Sequence, residues 1–135
     1  MSAPLKKLPY ALLVDDYLHS CIYSQIVVND SGRVNKMEYI LDPRKALSHL
    51  ESSRNSLPQV LFIDLYMPVM NGFDFIDACQ EIYKGSDTNV CVYIMSVSLN
   101  PSDKRKAEAH TFISGFVEKP ITPELIGAIA DEYGR

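Results

Sequence analysis

Val60-Leu61-Phe62-Ile63-Asp64 is the stretch on which the fold turns: four consecutive apolar residues closed by a carboxylate. A strand with water on one face alternates apolar and polar residues, whereas an unbroken run of this length suits a strand covered on both faces. The charged residue directly after it stands at the end of a buried central strand, where a purely structural carboxylate is rare. Comparable short runs lie on either side, at Tyr10 to Val14, Met37 to Leu41, Val90 to Met95 and Ser114 to Val117. Segments of helical period separate them. Strands and helices therefore alternate, five of each, in one α/β domain built on a parallel sheet.

The helix signals are specific. Asp42-Pro43, Asn100-Pro101 and Thr122-Pro123 each pair an N-cap residue with a proline at the first helical position. Ala46, Leu47 and Leu50 form an apolar stripe after the first of these, and Leu125, Ile126, Ile129, Ala130 and Tyr133 form a broader one after the last. Ile76, Cys79, Ile82 and Tyr83 give a stripe expected to end at Gly85. Leu18, Cys21, Ile22 and Ile26 give another, read as a core-facing stripe that ends in the turn Asn29-Asp30-Ser31-Gly32.

Composition narrows the function classes. At 135 residues, 47% hydrophobic and 22% charged, the chain fits one globular domain with a sizeable core. Thirteen Lys and Arg against seventeen Asp and Glu leave a net charge of -4, so no basic excess recruits nucleic acid or anionic lipid. Cys21, Cys79 and Cys91 are odd in number and contain no CxxC pair, which argues against a disulfide framework or closed zinc site and suits a reducing cytoplasm. Cys79 and Cys91 fall on core faces as small hydrophobes. The apolar stretch after Lys6 and Lys7 is too short for a secretory signal, and Val90 to Met95 is far below the roughly 18 to 20 residues of a bilayer span. His19, His49 and His110 lie on separate segments and support neither a metal cluster nor a triad.

In a parallel sheet all strand C-termini share one edge, and ligands bind outside it. Just past the runs stand Asp15 and Asp16, then Asp64, Ser96 and Lys119. These groups are expected to meet in one cleft. Three carboxylates in one place repel and hold one another's pKa up unless a cation sits among them. Oxygen ligands without His or Cys point to Mg²⁺, which favours carboxylates, retained waters and a phosphoryl oxygen. Lys119 and Ser96 then complete an anion site in which a carboxylate in line with phosphorus acts as nucleophile. Asp16 is also read as a cap for the helix starting at Tyr17.

The chain resembles the two-component response-regulator receiver domain over nearly its whole length, residues 1–135. The resemblance rests on Leu12-Leu13-Val14-Asp15-Asp16, Asp64-Leu65-Tyr66-Met67-Pro68-Val69-Met70-Asn71-Gly72, Ser96 and Lys119-Pro120, in that order and spacing. It implies a flavodoxin-like, doubly wound five-stranded sheet in strand order 2-1-3-4-5. It implies that Asp64 accepts a phosphoryl group, that Asp15, Asp16, Asp64 and the Tyr66 carbonyl hold Mg²⁺, and that Lys119 and Ser96 contact the phosphoryl oxygens. A cis peptide is implied at Lys119-Pro120. Phosphorylation is implied to draw Ser96 inward and turn Phe116 into the space left, a shift set by how each packing contacts the new group.

The implied partners are a histidine kinase or histidine phosphotransfer protein as donor, and a protein target on the face of the fourth helix, fifth strand and fifth helix. Lys104-Arg105-Lys106 on that fourth helix is a solvated face, or a docking patch for an acidic surface. The chain is expected to be a self-modifying switch with no metabolite turnover and, with only about two residues after the last helix, no effector domain. Three positions depart from the family's commonest choices. Val97 narrows the approach to the site, Tyr66 lies over the acyl phosphate, and Phe116 lacks the hydroxyl of the frequent tyrosine. A Mg²⁺-dependent phosphohydrolase using Asp64 is the alternative enzyme, but Tyr66 stands where a second acid-base carboxylate is needed. A phosphorylation-independent interaction module is another alternative. A nucleotide or flavin carrier is disfavoured because no GxxxxGK or glycine-rich turn follows the first run.

Overall fold

A computed structural model describes residues 5–98 and 100–133 of the chain; the remaining positions of the expected domain, 1–4, 99, 134 and 135, lie outside the described residues. The elements are β1 (Leu8–Val14), α1 (Leu18–Ser31), β2 (Val34–Ile40), α2 (Pro43–Ser52) and β3 (Val60–Asp64). They continue as α3 (Gly72–Tyr83), β4 (Cys91–Ser96), α4 (Pro101–Ala109), β5 (Gly115–Glu118) and α5 (Pro123–Glu132). The five strands run parallel in the order β2-β1-β3-β4-β5. This is the flavodoxin-like order. The unbroken apolar run forms β3, the middle strand, and all five of its residues are buried.

Strand alternation sorts the core into two layers. Leu12, Val14, Leu61, Ile63, Val92 and Ile94 pack toward α2, α3 and Ala107 of α4. Ala11, Leu13, Val60, Phe62 and Met95 pack the other way, toward α1 and α5. Complete burial of side chains such as Leu61 and Phe62 contributes about 1.5–3 kcal/mol each. The chain leaves β1 outward to β2 and returns across it to β3, so the sheet's switch point lies between β1 and β3.

Each proline-marked helix start is capped. Asp42 accepts from Arg44 N at 2.9 Å, Asn100 from Ser102 N at 2.8 Å, and Thr122 from Leu125 N at 3.2 Å. Each cap contributes about 1 kcal/mol. The expected end of α3 at Gly85 moves to Lys84. The strand edges shift by one to three residues, since β1 begins at Leu8 and β2 spans Val34–Ile40, leaving Leu41 outside. Helix α1 runs through Asn29-Asp30-Ser31 and stops at Gly32, whose φ of 68° is the left-handed value glycine tolerates.

Two expectations for α1 are corrected. Its buried residues are Cys21, Ser24 and Val28, while Leu18, Ile22 and Ile26 are exposed together with Tyr17 and Tyr23. Apolar residues on both sides of the helix leave no clear period, so the sequence does not specify which side is buried. Asp16 does not cap the helix either. Tyr17 is the cap residue without a side-chain bond, and Asp15 Oδ1 accepts from the Tyr17 N–H at 3.0 Å.

Candidate functional site

Strand alternation decides which side chains meet at the C-terminal edge. Asp15 has the parity of Ala11 and Leu13, Asp64 that of Val60 and Phe62, and Lys119 that of Val117, all on the α1/α5 side. Ser96 has the parity of Val92 and Ile94, and Phe116 packs against that same cluster on the opposite side. One carboxylate oxygen each from Asp15, Asp16 and Asp64 lies within 4.8 Å of the others. Asp15 and Asp64 are buried, whereas Asp16 is exposed. Lys119 Nζ lies 2.7 Å from Asp15 Oδ2 and 3.2 Å from Asp64 Oδ1.

The charges in the pocket are unequal. Among the described residues three carboxylates, two buried and the third exposed, against one ammonium leave a formal surplus of two negative charges, which one divalent cation offsets. Hard oxygen donors without nitrogen or sulfur fit Mg²⁺. Burial, opposed by Lys119 and reinforced by Asp15, pushes the Asp64 carboxyl up to about 6. Burial by itself would depress the Lys119 ammonium, but the hydrogen bond and charge of Asp15 and the charge of Asp64 outweigh it, and its pKa is raised. At neutral pH Asp64 is therefore mostly an anion, and more basic than an ordinary aspartate.

The backbone around Asp64 is tightly set. Leu65 N donates to Met95 O at 2.8 Å, and Gly72 N donates to Leu65 O at 2.8 Å, closing the loop after β3. A side chain at Gly72 would bring its Cβ to 2.7 Å from the Asp64 carbonyl oxygen, so only glycine fits where α3 begins. Asn71 caps that helix by accepting from Asp74 N at 3.0 Å. The Lys119-Pro120 bond is cis. Beside the carboxylates, a cleft of about 370 Å³ opens between Tyr17 just before α1, Tyr23 on α1, Val97, and the turn Lys119-Pro120-Ile121.

Two expected residues have the strand parity of the opposite side of the sheet. Ser96 is buried with its hydroxyl accepting from Ser98 N at 3.3 Å, and Phe116 is half-buried. The Tyr66 hydroxyl reaches away to α4, where it donates to Asp103 Oδ2. That bond had no signal in the sequence, because the two residues are 37 positions apart. Cys21, whose thiol donates to the Asp15 carbonyl at 3.3 Å, was equally silent.

The response regulator receiver domain family matches residues 11–131. The chain belongs to this family. A two-component response regulator from Cytophaga hutchinsonii superposes with a TM-score of 0.84 at 25% identity, covering 92% of this chain and 95% of that one. The chemotaxis response regulator CheY4 of Vibrio cholerae is 28% identical with a TM-score of 0.69, covering 89% and 93%. An uncharacterised 14.6 kDa protein in the sodA1 3′ region of Leptolyngbya boryana is 25% identical over 122 residues, covering 90% of this chain and 87% of that protein. Receivers are switches of phosphorylation-dependent signalling and typically bind Mg²⁺ at an acidic pocket. This receiver carries such an acidic cluster. No helix among the described residues is long and apolar enough to cross a membrane.

Proposed function

We propose that residues 1–135 are one cytoplasmic receiver domain that takes a phosphoryl group from a phosphohistidine donor onto Asp64. The observation that carries this reading is the pocket with two surplus negative charges, in which Lys119 Nζ stands 3.2 Å from Asp64 Oδ1. Asp15, Asp16, Asp64 and the Tyr66 carbonyl would hold Mg²⁺, which when bound neutralises charge that builds on the phosphoryl oxygens. The Asp64 carboxylate, kept basic by burial, attacks phosphorus. The P–N bond of the donor breaks, and its electron pair stays on the imidazole nitrogen. Lys119 is already within reach of any oxygen added to the Asp64 carboxyl.

Ser96 and Phe116 lie on the α4 side of the sheet, with Ala107 of α4 in the same cluster. A hydroxyl drawn toward the acyl phosphate would carry the change from the carboxylate side to that side. The face of α4, β5 and α5 is the readout surface for a protein target. On the opposite flank, α1 exposes Leu18, Ile22, Tyr23 and Ile26, of which Tyr23 also lines the cleft that leads to Lys119, and this face receives the donor, a histidine kinase or histidine phosphotransfer protein. The domain turns over no metabolite.

Incubation with acetyl phosphate and Mg²⁺, followed by peptide mass spectrometry, tests the reading. A single acid-stable, base-labile adduct on Asp64, absent in Asp64→Asn, is expected. Multiple turnover of a phosphoester would instead identify a hydrolase, and no adduct with either acetyl phosphate or a phosphohistidine protein would overturn the acceptor role.

A further inference from the structure

Helix α4 has little to hold it by apolar contact, since only Ala107 of its residues is buried. A helix so polar on all sides depends on its polar contacts for its position. Three of these run along it, and each reaches the segment that follows Asp64. In its first turn the Asp103 carboxylate accepts the hydrogen bond of the Tyr66 hydroxyl. In its middle, Lys106 Nζ lies 4.4 Å from the centre of the Phe73 ring. Just past its end, His110 Nε2 lies 2.7 Å from Asp77 Oδ1, while His110 Nδ1 accepts from Phe112 N at 3.2 Å.

The first contact differs from the other two. Phe73 and Asp77 belong to α3, but Tyr66 belongs to the loop after β3, two residues beyond Asp64. The tyrosine is 59% exposed, so its hydroxyl bond rather than packing sets the ring's direction. The acceptor is firmly placed, because Asn100 Oδ1 caps the helix by accepting from both Ser102 N and Asp103 N. Between these anchors the tyrosine spans from the loop after β3 to the helix after β4. It crosses the ends of the two strands that carry Asp64 and Ser96.

We propose that Asp103 is a positioning residue: by accepting from the Tyr66 hydroxyl it holds that side chain as a strap across the ends of β3 and β4, coupling the first turn of α4 to the loop beside Asp64.

A double-mutant cycle of Tyr66→Phe, Asp103→Ala and the double variant tests it, with Asp103→Asn as the variant that keeps an acceptor. Tyr66 is exposed and Asp103 half-buried, and circular dichroism verifies the fold of each variant. Hydrogen exchange of amides 102–107 is read without phosphodonor. Tyr66→Phe should speed exchange there about threefold, the double variant should exchange no faster than Asp103→Ala, and Asp103→Asn should recover part of the protection. Unchanged exchange in Tyr66→Phe, or effects that simply add in the double variant, would overturn the strap.

Discussion

The molecule buries two cations at opposite edges of its sheet, and they do different work. Arg33 stands just before β2 with its side chain 10% exposed; its Nε donates to Lys6 O at 2.7 Å and its guanidinium meets Asp131 at 2.5 Å. Lys119 stands just after β5 at 13% exposed and meets two carboxylates, Asp15 and Asp64, with Asp16 close by. Around Arg33, among the described residues, one half-exposed carboxylate and one carbonyl take up the guanidinium, so the arrangement ties the start of β1 and β2 to α5. Around Lys119 the charges do not balance. A surplus of buried charge, rather than burial of charge as such, separates a site from a strut.

The sharpest way to break this comparison is to remove the surplus. The Asp64 carboxyl is raised to about 6 from the ordinary 3.8, so folding disfavours its charged form. At pH 7 the group is ionised in both folded and unfolded chains, and the fold bears the difference, about 3 kcal/mol. As pH falls through 6 the folded state protonates first and gains stability, and below 3.8 the gain is complete. In metal-free buffer Asp64→Asn should therefore raise the unfolding free energy by about 3 kcal/mol at pH 7, with the advantage gone by about pH 4. Urea titrations at both pH values measure it; an Asn variant no more stable than the parent at pH 7 would mean the pocket carries no surplus. Saturating Mg²⁺ should narrow the gap at pH 7 by stabilising the unaltered protein alone.

The strut should answer with the opposite sign. Arg33→Met removes the partner of the Lys6 carbonyl and of the Asp131 carboxylate, and a loss of about 2 kcal/mol is expected. An unchanged denaturation midpoint would show that Arg33 holds nothing.

The remaining two changes act on who can reach the Lys119 pocket. Ile22→Glu alters an exposed position on α1, so stability should move by less than about 0.5 kcal/mol. Transfer from a phosphohistidine protein should nevertheless drop about tenfold while uptake from acetyl phosphate stays constant. A parallel fall in both rates would remove α1 as the donor's landing face. Val97, 77% exposed at the lip of the cleft, sets the smallest effect. Val97→Ala should speed uptake from acetyl phosphate about twofold, and equal single-turnover rates would dismiss the lip as a barrier.

Much of the site could be read before any coordinates. Asp15, Asp16, Asp64 and Lys119 each sit within two residues of the end of a run, and a parallel sheet must bring such positions to one edge. Strand parity then divides them by side, and it explains why Ser96 and Phe116 face α4 while Asp15 and Asp64 face α1. The rotation of α1 was not legible, because Leu18, Ile22 and Ile26 offer as good an apolar stripe as Cys21, Ser24 and Val28. The reading of Tyr66 as a cover over the acyl phosphate missed its bond to Asp103, which joins two loops with no shared sequence signal.

What the amino-acid order alone determined was the succession of strands and helices, the caps that start α2, α4 and α5, and the set of polar groups delivered to one edge. These follow from periodicity and local hydrogen bonding, both of which act over a few residues. Only the tertiary structure decided which face of α1 meets water, that Lys119 pairs with Asp15 as well as Asp64, and that Tyr66 reaches α4. Those outcomes depend on distances between segments far apart in the chain, and such distances exist only once the two core layers have closed on the sheet.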